Sequence, residues 1–204
     1  MQNKTLIQIT VYTNKINENL SAKKGKEDGG KMKGTNKIIL VKPTKELEKQ
    51  ALDYHNEHFD NEEYTINGSE LFDKIADYDE WLENITNNSR KETVLHGWVL
   101  TDTFFALRED EHKIVDLRYE LNDFLKDFGN SGYSVRPSER NKGYATEMLS
   151  QICNIAKNSG MKQLQLSVER GNESSIKTIL KNGGKYERSF CFENEDANVY
   201  IIEL

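Results

Sequence analysis

Cysteine is nearly absent. Cys153 and Cys191 are the two in 204 residues, far apart and without a metal-type pair spacing. That leaves no disulfide scaffold or zinc cluster to build, and it fits two reduced thiols in a cytoplasmic protein. Long apolar runs are absent too: no stretch approaches the roughly 20 residues that cross a bilayer. The opening "MQNKTLIQITVYTNK" also lacks the apolar h-region of a secretory signal. Positive charge is not in excess, with 28 Lys and Arg against 34 Asp and Glu and a net charge of −6, so the basic footprint of a general nucleic-acid binder is missing. Two common phosphate motifs are missing as well. No Gly-Lys-Ser/Thr ends a glycine loop, and no Gly-x-Gly-x-x-Gly opens a helix. Neither a membrane nor a nucleic acid is an expected partner.

What remains is the composition of one solvated α/β domain, long enough to bury a sizeable core. Residues 13–37, "TNKINENLSAKKGKEDGGKMKGTNK", hold too few large apolar side chains to offset their ordering entropy. Residues 1–37 are therefore expected to be a flexible extension, in which "TLIQITVY" could add an edge strand, and 38–204 the folded domain. From residue 38 the periodicities are clear. "IILVK" is a strand. Thr44 is placed to cap a helix with Leu47, Ala51, Leu52 and Tyr54 on one face, and Ser69 to cap a second over "ELFDKIADYDEWLENI". "TDTFFALRE" and "HKIVDLRYEL" read as strands joined through "DEH". After the strand "GYSVRP", a helix from Tyr144 carries Ala145, Met148, Leu149, Ile152, Cys153 and Ala156 and stops near Gly160. "KQLQLSV" is a strand, "NESSIKTILKN" a helix capped by Asn172, and "KYERSFCF" with "NVYIIEL" a closing strand pair. The order is β-α-α-β-β-β-α-β-α-β-β. The crossover through 132–168 should be right-handed and make the central sheet mixed. The last strand could pair across a homodimer.

Residues 134–149 read "SVRPSERNKGYATEML": a strand end, a charged loop, and a helix start that carries glycine. The first N–H groups of a helix have no intrahelical partner and sit at the positive end of its dipole, so they can take an anion. Gly143 lets a phosphate approach the backbone, and Arg136, Arg140 and Lys142 add charge. The pattern Arg140-x-x-Gly143-x-Ala145, with the strand before it and "ERGNESSIKTILKNGG" after the next strand, resembles the GCN5-related N-acetyltransferase (GNAT) family. The resemblance covers roughly residues 38–204.

It implies a single-domain GNAT fold with acetyl-coenzyme A as co-substrate. The backbone of Arg140, Asn141, Lys142, Gly143, Tyr144, Ala145 and Thr146 would take the pyrophosphate. Ser134, Val135 and Arg136 would pair with the pantetheine arm like an extra strand, and Asn172 would mark the second cofactor segment. The sheet would have to splay after that strand. The implied function is acetyl transfer to a primary amine of a small molecule or peptide, by direct attack in a ternary complex. The alternative is a non-catalytic acetyl-CoA-binding sensor or interaction domain.

Such chemistry needs a neutral amine, a polarised thioester carbonyl and a protonated leaving thiolate. The N–H of Val135, or a close neighbour, is the candidate donor to the thioester oxygen. The family often places a tyrosine seven residues after the asparagine of the second segment, where this chain has Ile179. Tyr133, Tyr144, Tyr186 and Tyr200 are the possible substitutes. Candidate carboxylates for a base are Asp127, Glu120 and Glu169. His55 and His58, three apart on a helix, have no third metal ligand, so no metal is expected. The acid gathered between Glu46 and Glu83 suggests a cationic acceptor facing the two helices.

Overall fold

In the computed structural model, residues 38–94, 96–108 and 111–204 are described. The extension expected over 1–37, with its possible edge strand, lies outside the described residues. Within them the order is β1 (Ile39–Val41), α1 (Glu48–Asp60), α2 (Tyr78–Asn88), β2 (Thr101–Arg108), β3 (Glu111–Arg118), β4 (Tyr133–Ser134), α3 (Tyr144–Asn158), β5 (Gln163–Glu169), α4 (Glu173–Lys181), β6 (Lys185–Phe192) and β7 (Glu195–Glu203). This is the element order read from the sequence.

Strand alternation divides the core between two faces. Phe104, Ala106, Val115 and Leu117 point to the side covered by Met148, Leu149 and Ile152 of α3. Phe105 and Ile114, one residue out of phase, point to the side covered by Tyr54 of α1 and Trp81 of α2. Helices therefore lie on both faces.

The strands form two antiparallel sheets, β1-β2-β3-β4 and β5-β7-β6, rather than one continuous mixed sheet. The division falls between β4 and β5, where the expected splay lies. Just before β4 the chain is still tied to β5: the Asn130 N–H donates to the Gln165 carbonyl at 2.6 Å, the Gln165 N–H donates to Asn130 Oδ1 at 2.8 Å, and Ser167 Oγ donates to the Phe128 carbonyl at 2.7 Å. Gly129 permits the approach. Its φ is +91°, and a Cβ there would lie 2.6 Å from the Gln165 carbonyl oxygen. Beyond it, among the described residues, β4 pairs only with β3, through Tyr133 and Ser134, and turns away.

Two further expectations are corrected. The second helix starts at Tyr78, not after Ser69, and its cap is Asp77, whose side chain accepts from the Glu80 N–H. Ser69 is fully buried, and its carbonyl accepts from Trp81 Nε1 at 2.8 Å. Glu70 and Leu71 follow with left-handed φ of 49° and 66°, which a continuous helix does not allow. The helical spacing of Phe72 and Ile75 instead packs a series of turns against α2, with the Phe72 ring 4.5 Å from Trp81. The C-terminal strand is not an open edge either: β7 is paired on both sides, with β5 and with β6, so it has no free side for a partner copy.

Candidate active site

The divergence of β4 from β5 opens a cleft of about 330 Å³. It is lined by Asn172, Ser175 and Ile179 of α4 and its cap, by Asn67 and Gly68 of the turns after α1, by Arg118 of β3, and by the hairpin of β6 and β7. Gly68 and Gly132 make the wall possible. A Cβ on Gly68 would sit 2.2 Å from the Gly132 carbonyl oxygen, and Ser134 Oγ donates to the Asn67 carbonyl at 3.0 Å. Deep in this wall Asp116 accepts from the Gly132 N–H and from Arg118 Nη2 at 2.7 Å. Asp116 is fully buried, and that burial raises its pKa above the ordinary carboxylate value despite Arg118.

At the other side of β4 lies the anion loop. Residues Pro137–Glu139 make one 3-10 turn, Arg140 is extended, and Gly143 stands at the α3 N-cap with φ +87° and no side-chain cap bond. Asn141 is also left-handed, at φ 62°. Nothing among the described residues lies within 4 Å of a Cβ built on Gly143, which leaves space beside the first α3 amides. The loop fits a diphosphate on these grounds. Below it, Lys113 is fully buried, with its Nζ 4.1 Å from the Tyr144 ring centre.

The expected side chains are placed differently from the expected charges. Arg140 turns toward the end of α1, with Nη1 2.6 Å from Glu63 Oε1, Nη2 on Glu63 Oε2 and Nε 3.1 Å from the Val135 carbonyl. Arg136 Nε lies 2.8 Å from Glu57 Oε2, and Lys142 bonds Glu139. Tyr144 is core, Ala145 is half-buried, and the Thr146 carbonyl accepts from Asn182 of the α4 C-terminus. Asn172 caps α4, accepting from the Ser175 N–H at 3.0 Å, and lines the cleft.

Among the catalytic candidates the fold brings Tyr133 and Glu169 to the cleft. Tyr133 Oη reaches the Ser175 carbonyl at 3.5 Å, and burial pushes its phenol up to about 12. Asp127 and Glu120 are not among the lining residues. Asp127 is engaged instead by Arg188 at 2.8 Å, because residues 125–127 form a 3-10 turn beside β6, and Glu120 is exposed beyond the end of β3. Tyr200 is buried against Tyr186. The histidines are apart in role: His58 is buried on Glu63, while His55 stacks on Phe59 at 4.1 Å.

Part of the acid between residues 46 and 83 is paired with nearby cations, Glu57 and Glu63 with the loop arginines and Asp53 and Asp79 with lysines. The carboxylates at the cleft are Glu169, Glu193 and Glu195, beside an aromatic wall in which Phe128 stands edge-on to Phe190 and Phe192. Sequence reading missed Asn67, Gly68, Arg118 and this hairpin. None carries a local motif, and only the fold gathers them.

The model of the acetyltransferase (GNAT) domain matches residues 37–185, nearly three quarters of the chain, and the chain belongs to this family of acetyltransferases. Among curated proteins the sequence finds no significant match. Among solved structures it is similar to the microcin C7 self-immunity acetyltransferase MccE in complex with acetyl-CoA and AMP, at TM-score 0.63 and 16% identity over 83% of this chain and 94% of that one. A point mutant of the spermidine N-acetyltransferase SpeG from Vibrio cholerae follows at TM-score 0.56 and 14% identity, covering 82% and 94%. The acetyltransferase yncA from Salmonella typhimurium with its cofactor acetyl-CoA stands at 0.57 and 15%, again over 82% and 94%. These likenesses show the fold.

Proposed function

We propose that the protein is an N-acetyltransferase that moves an acetyl group from acetyl-CoA to a primary amine carried by a small molecule or peptide. One observation carries the reading: a single strand, β4, joins an open, uncapped α3 N-terminus to a cleft lined by both an ionisable hydroxyl and a carboxylate. The α3 amides beyond Gly143 hold the diphosphate, with Asn141 and Lys142 at the rim. The backbone from Ser134, the end of β4, to Arg136 receives the pantetheine on the side that β5 leaves unpaired, and the N–H of Val135 or a neighbour polarises the carbonyl. Acetyl-CoA supplies the activated acyl group.

Tyr133 takes the part of the acid. A phenol near 12 stays protonated at neutral pH, as a proton donor to a departing thiolate must. It faces α4 at Ser175, one turn from the Ile179 that stands where relatives often carry a tyrosine. Glu169, in the cleft lining, is the carboxylate that takes the amine's proton. Glu169, Glu193 and Glu195 favour an acceptor that arrives as a cation. A spermidine N-acetyltransferase shares the fold, and a small cationic amine is consistent with it. Asp127 and Glu120 have no part in this scheme. The folded domain is 38–204, acting in the cytoplasm.

Calorimetric titration of the wild type and Gly143→Glu with acetyl-CoA tests the reading. The added carboxylate projects into the open cradle, so binding is expected to weaken at least about 100-fold through charge repulsion and lost amide contacts. In an amine panel monitored by thiol release, Tyr133→Phe is expected to lower kcat about 10- to 100-fold at near-constant KM for acetyl-CoA. A wild type that does not bind acetyl-CoA sinks the proposal. Binding without turnover on any amine leaves the sensor reading in its place.

A further inference from the structure

Arg140 and Glu63 are 77 residues apart in sequence and meet through both guanidinium prongs, and this contact has a second support beside it. Glu57 Oε1 accepts from the Ser138 N–H at 2.8 Å, while its Oε2 holds Arg136. Residues 136, 138 and 140 of the loop are therefore all fastened to α1 or the turn that ends it. Glu63 is itself fixed. Its Oε2 lies 2.8 Å from His58 Nδ1, its Oε1 accepts from Asn61 Nδ2 at 2.9 Å, and its N–H donates to the His58 carbonyl at 2.9 Å. Glu62, left-handed at φ 60°, reverses the chain at the end of α1 so that Glu63 reaches back toward the loop.

We infer that Glu63 is a positioning residue for the cofactor: with Arg140 it forms a strut that sets the direction of the diphosphate-binding amides. The inference rests on the acetyl-CoA reading of the loop. A guanidinium held by both oxygens of one carboxylate has a fixed plane. Here the third nitrogen of that plane holds the Val135 carbonyl, so the strut spans from the end of β4 to α1 across the base of the loop. Its charge is matched by Glu63, so its contribution to a bound diphosphate is geometric. Residues 141–143 then bridge a fixed point at Arg140 and the start of α3 through the left-handed Asn141 and Gly143.

The test measures acetyl-CoA dissociation constants by calorimetry for the wild type, Arg140→Lys, Glu63→Gln and the double variant. Each single change is expected to weaken binding by about five- to tenfold, and the double change by no more than either single one. In the ligand-free protein, hydrogen exchange of the amides of residues 138–146 should quicken by the same factor in all three variants. If Arg140 were a phosphate ligand restrained by Glu63, Glu63→Gln would tighten binding and Arg140→Lys would retain it; either result, additive losses, or unchanged exchange overturns the strut. Both side chains are partly exposed, 30% for Glu63 and 41% for Arg140, and a thermal melt checks that the variants fold. Should Glu63→Gln fail to fold, exchange in Arg140→Lys decides alone. A wild type that does not bind acetyl-CoA defeats the functional reading, and the exchange comparison still decides the strut.

Discussion

Two irregular segments adjoin β4, one following it in the chain and one packed against it through Asn67 and Gly68, and they obey different rules. Residues 135–143 run from β4 to α3, and their shape follows from local chemistry: Pro137 begins a tight turn, Gly143 takes the left-handed conformation, and a helix begins with its amides open. Residues 61–77 run from α1 to α2, and nothing local dictates their course. Two consecutive non-glycine residues, Glu70 and Leu71, sit in the left-handed region, a conformation that persists only when its surroundings impose it. Those surroundings are Trp81 against Phe72 and the Gly68–Gly132 contact with β4. A glycine-bearing loop at a helix start can be written in a short motif, whereas the turns on the other side of β4 are a product of tertiary packing.

Glycine substitutions break this comparison most directly. Gly68→Ala combines a φ of +75° with a Cβ 2.2 Å from a backbone oxygen, so it should cost about 2–5 kcal/mol by overpacking and strain together. Gly143→Ala has a φ of +87° but open space around the new methyl, so only the conformational part remains, about 1–2 kcal/mol. Urea midpoints read both. Equal losses would mean that the wall at Gly68 can relax and is no more tightly specified than the loop. A smaller effect sharpens the boundary of α2. Asp77→Ala removes the side chain that accepts from the Glu80 N–H and should cost about 1 kcal/mol, and an unchanged midpoint would argue against a helix start at that cap.

The same division explains what was legible. The element order, the helix over 144–158, the Asn172 cap and the uncapped glycine start of α3 could be read because capping, glycine and periodicity act within a few residues. Tyr133 and Glu169 were legible as candidates but not as cleft neighbours of one another, since the splay that gathers them depends on Gly129 fitting against β5. The start of α2 was misread because Phe72 and Ile75 keep helical spacing while serving a turn. The central place of β7 was misread because an apolar terminal strand looks the same at an edge or between two neighbours. Glu63 was counted only as part of an acidic stretch. Its partner is set by the reversal at Glu62, where no residue type signals a turn.

The strut joins the two segments, so its titration measures how far the loop leans on the wall. Hydrogen bonds from Arg140, then the His58 contact, hold the Glu63 carboxyl at about 2, below its ordinary 4.5. A lowered carboxylate adds stability that is complete above about 4.5 and is lost as the pH falls toward about 2. His58 is lowered from 6.5, chiefly by burial, against the pull of Glu63 and Glu57 and with Arg140 repelling its proton. The Tyr54 ring packs 4.7 Å away. Protonation therefore favours the unfolded chain, and this part of the stability begins to fall once the pH drops below 6.5. The wild type should weaken in two stages, first below neutrality through His58 and then in acid through Glu63. The acid stage is no more than about 1 kcal/mol, because Glu63 is partly open to solvent and screened. Urea midpoints between neutrality and the acid limit should show Glu63→Gln lacking the acid stage while its His58 stage deepens, because the charge that holds the His58 pKa up is gone. If the variant keeps the acid stage, its source lies in other carboxylates, and the loop stands without help from the wall.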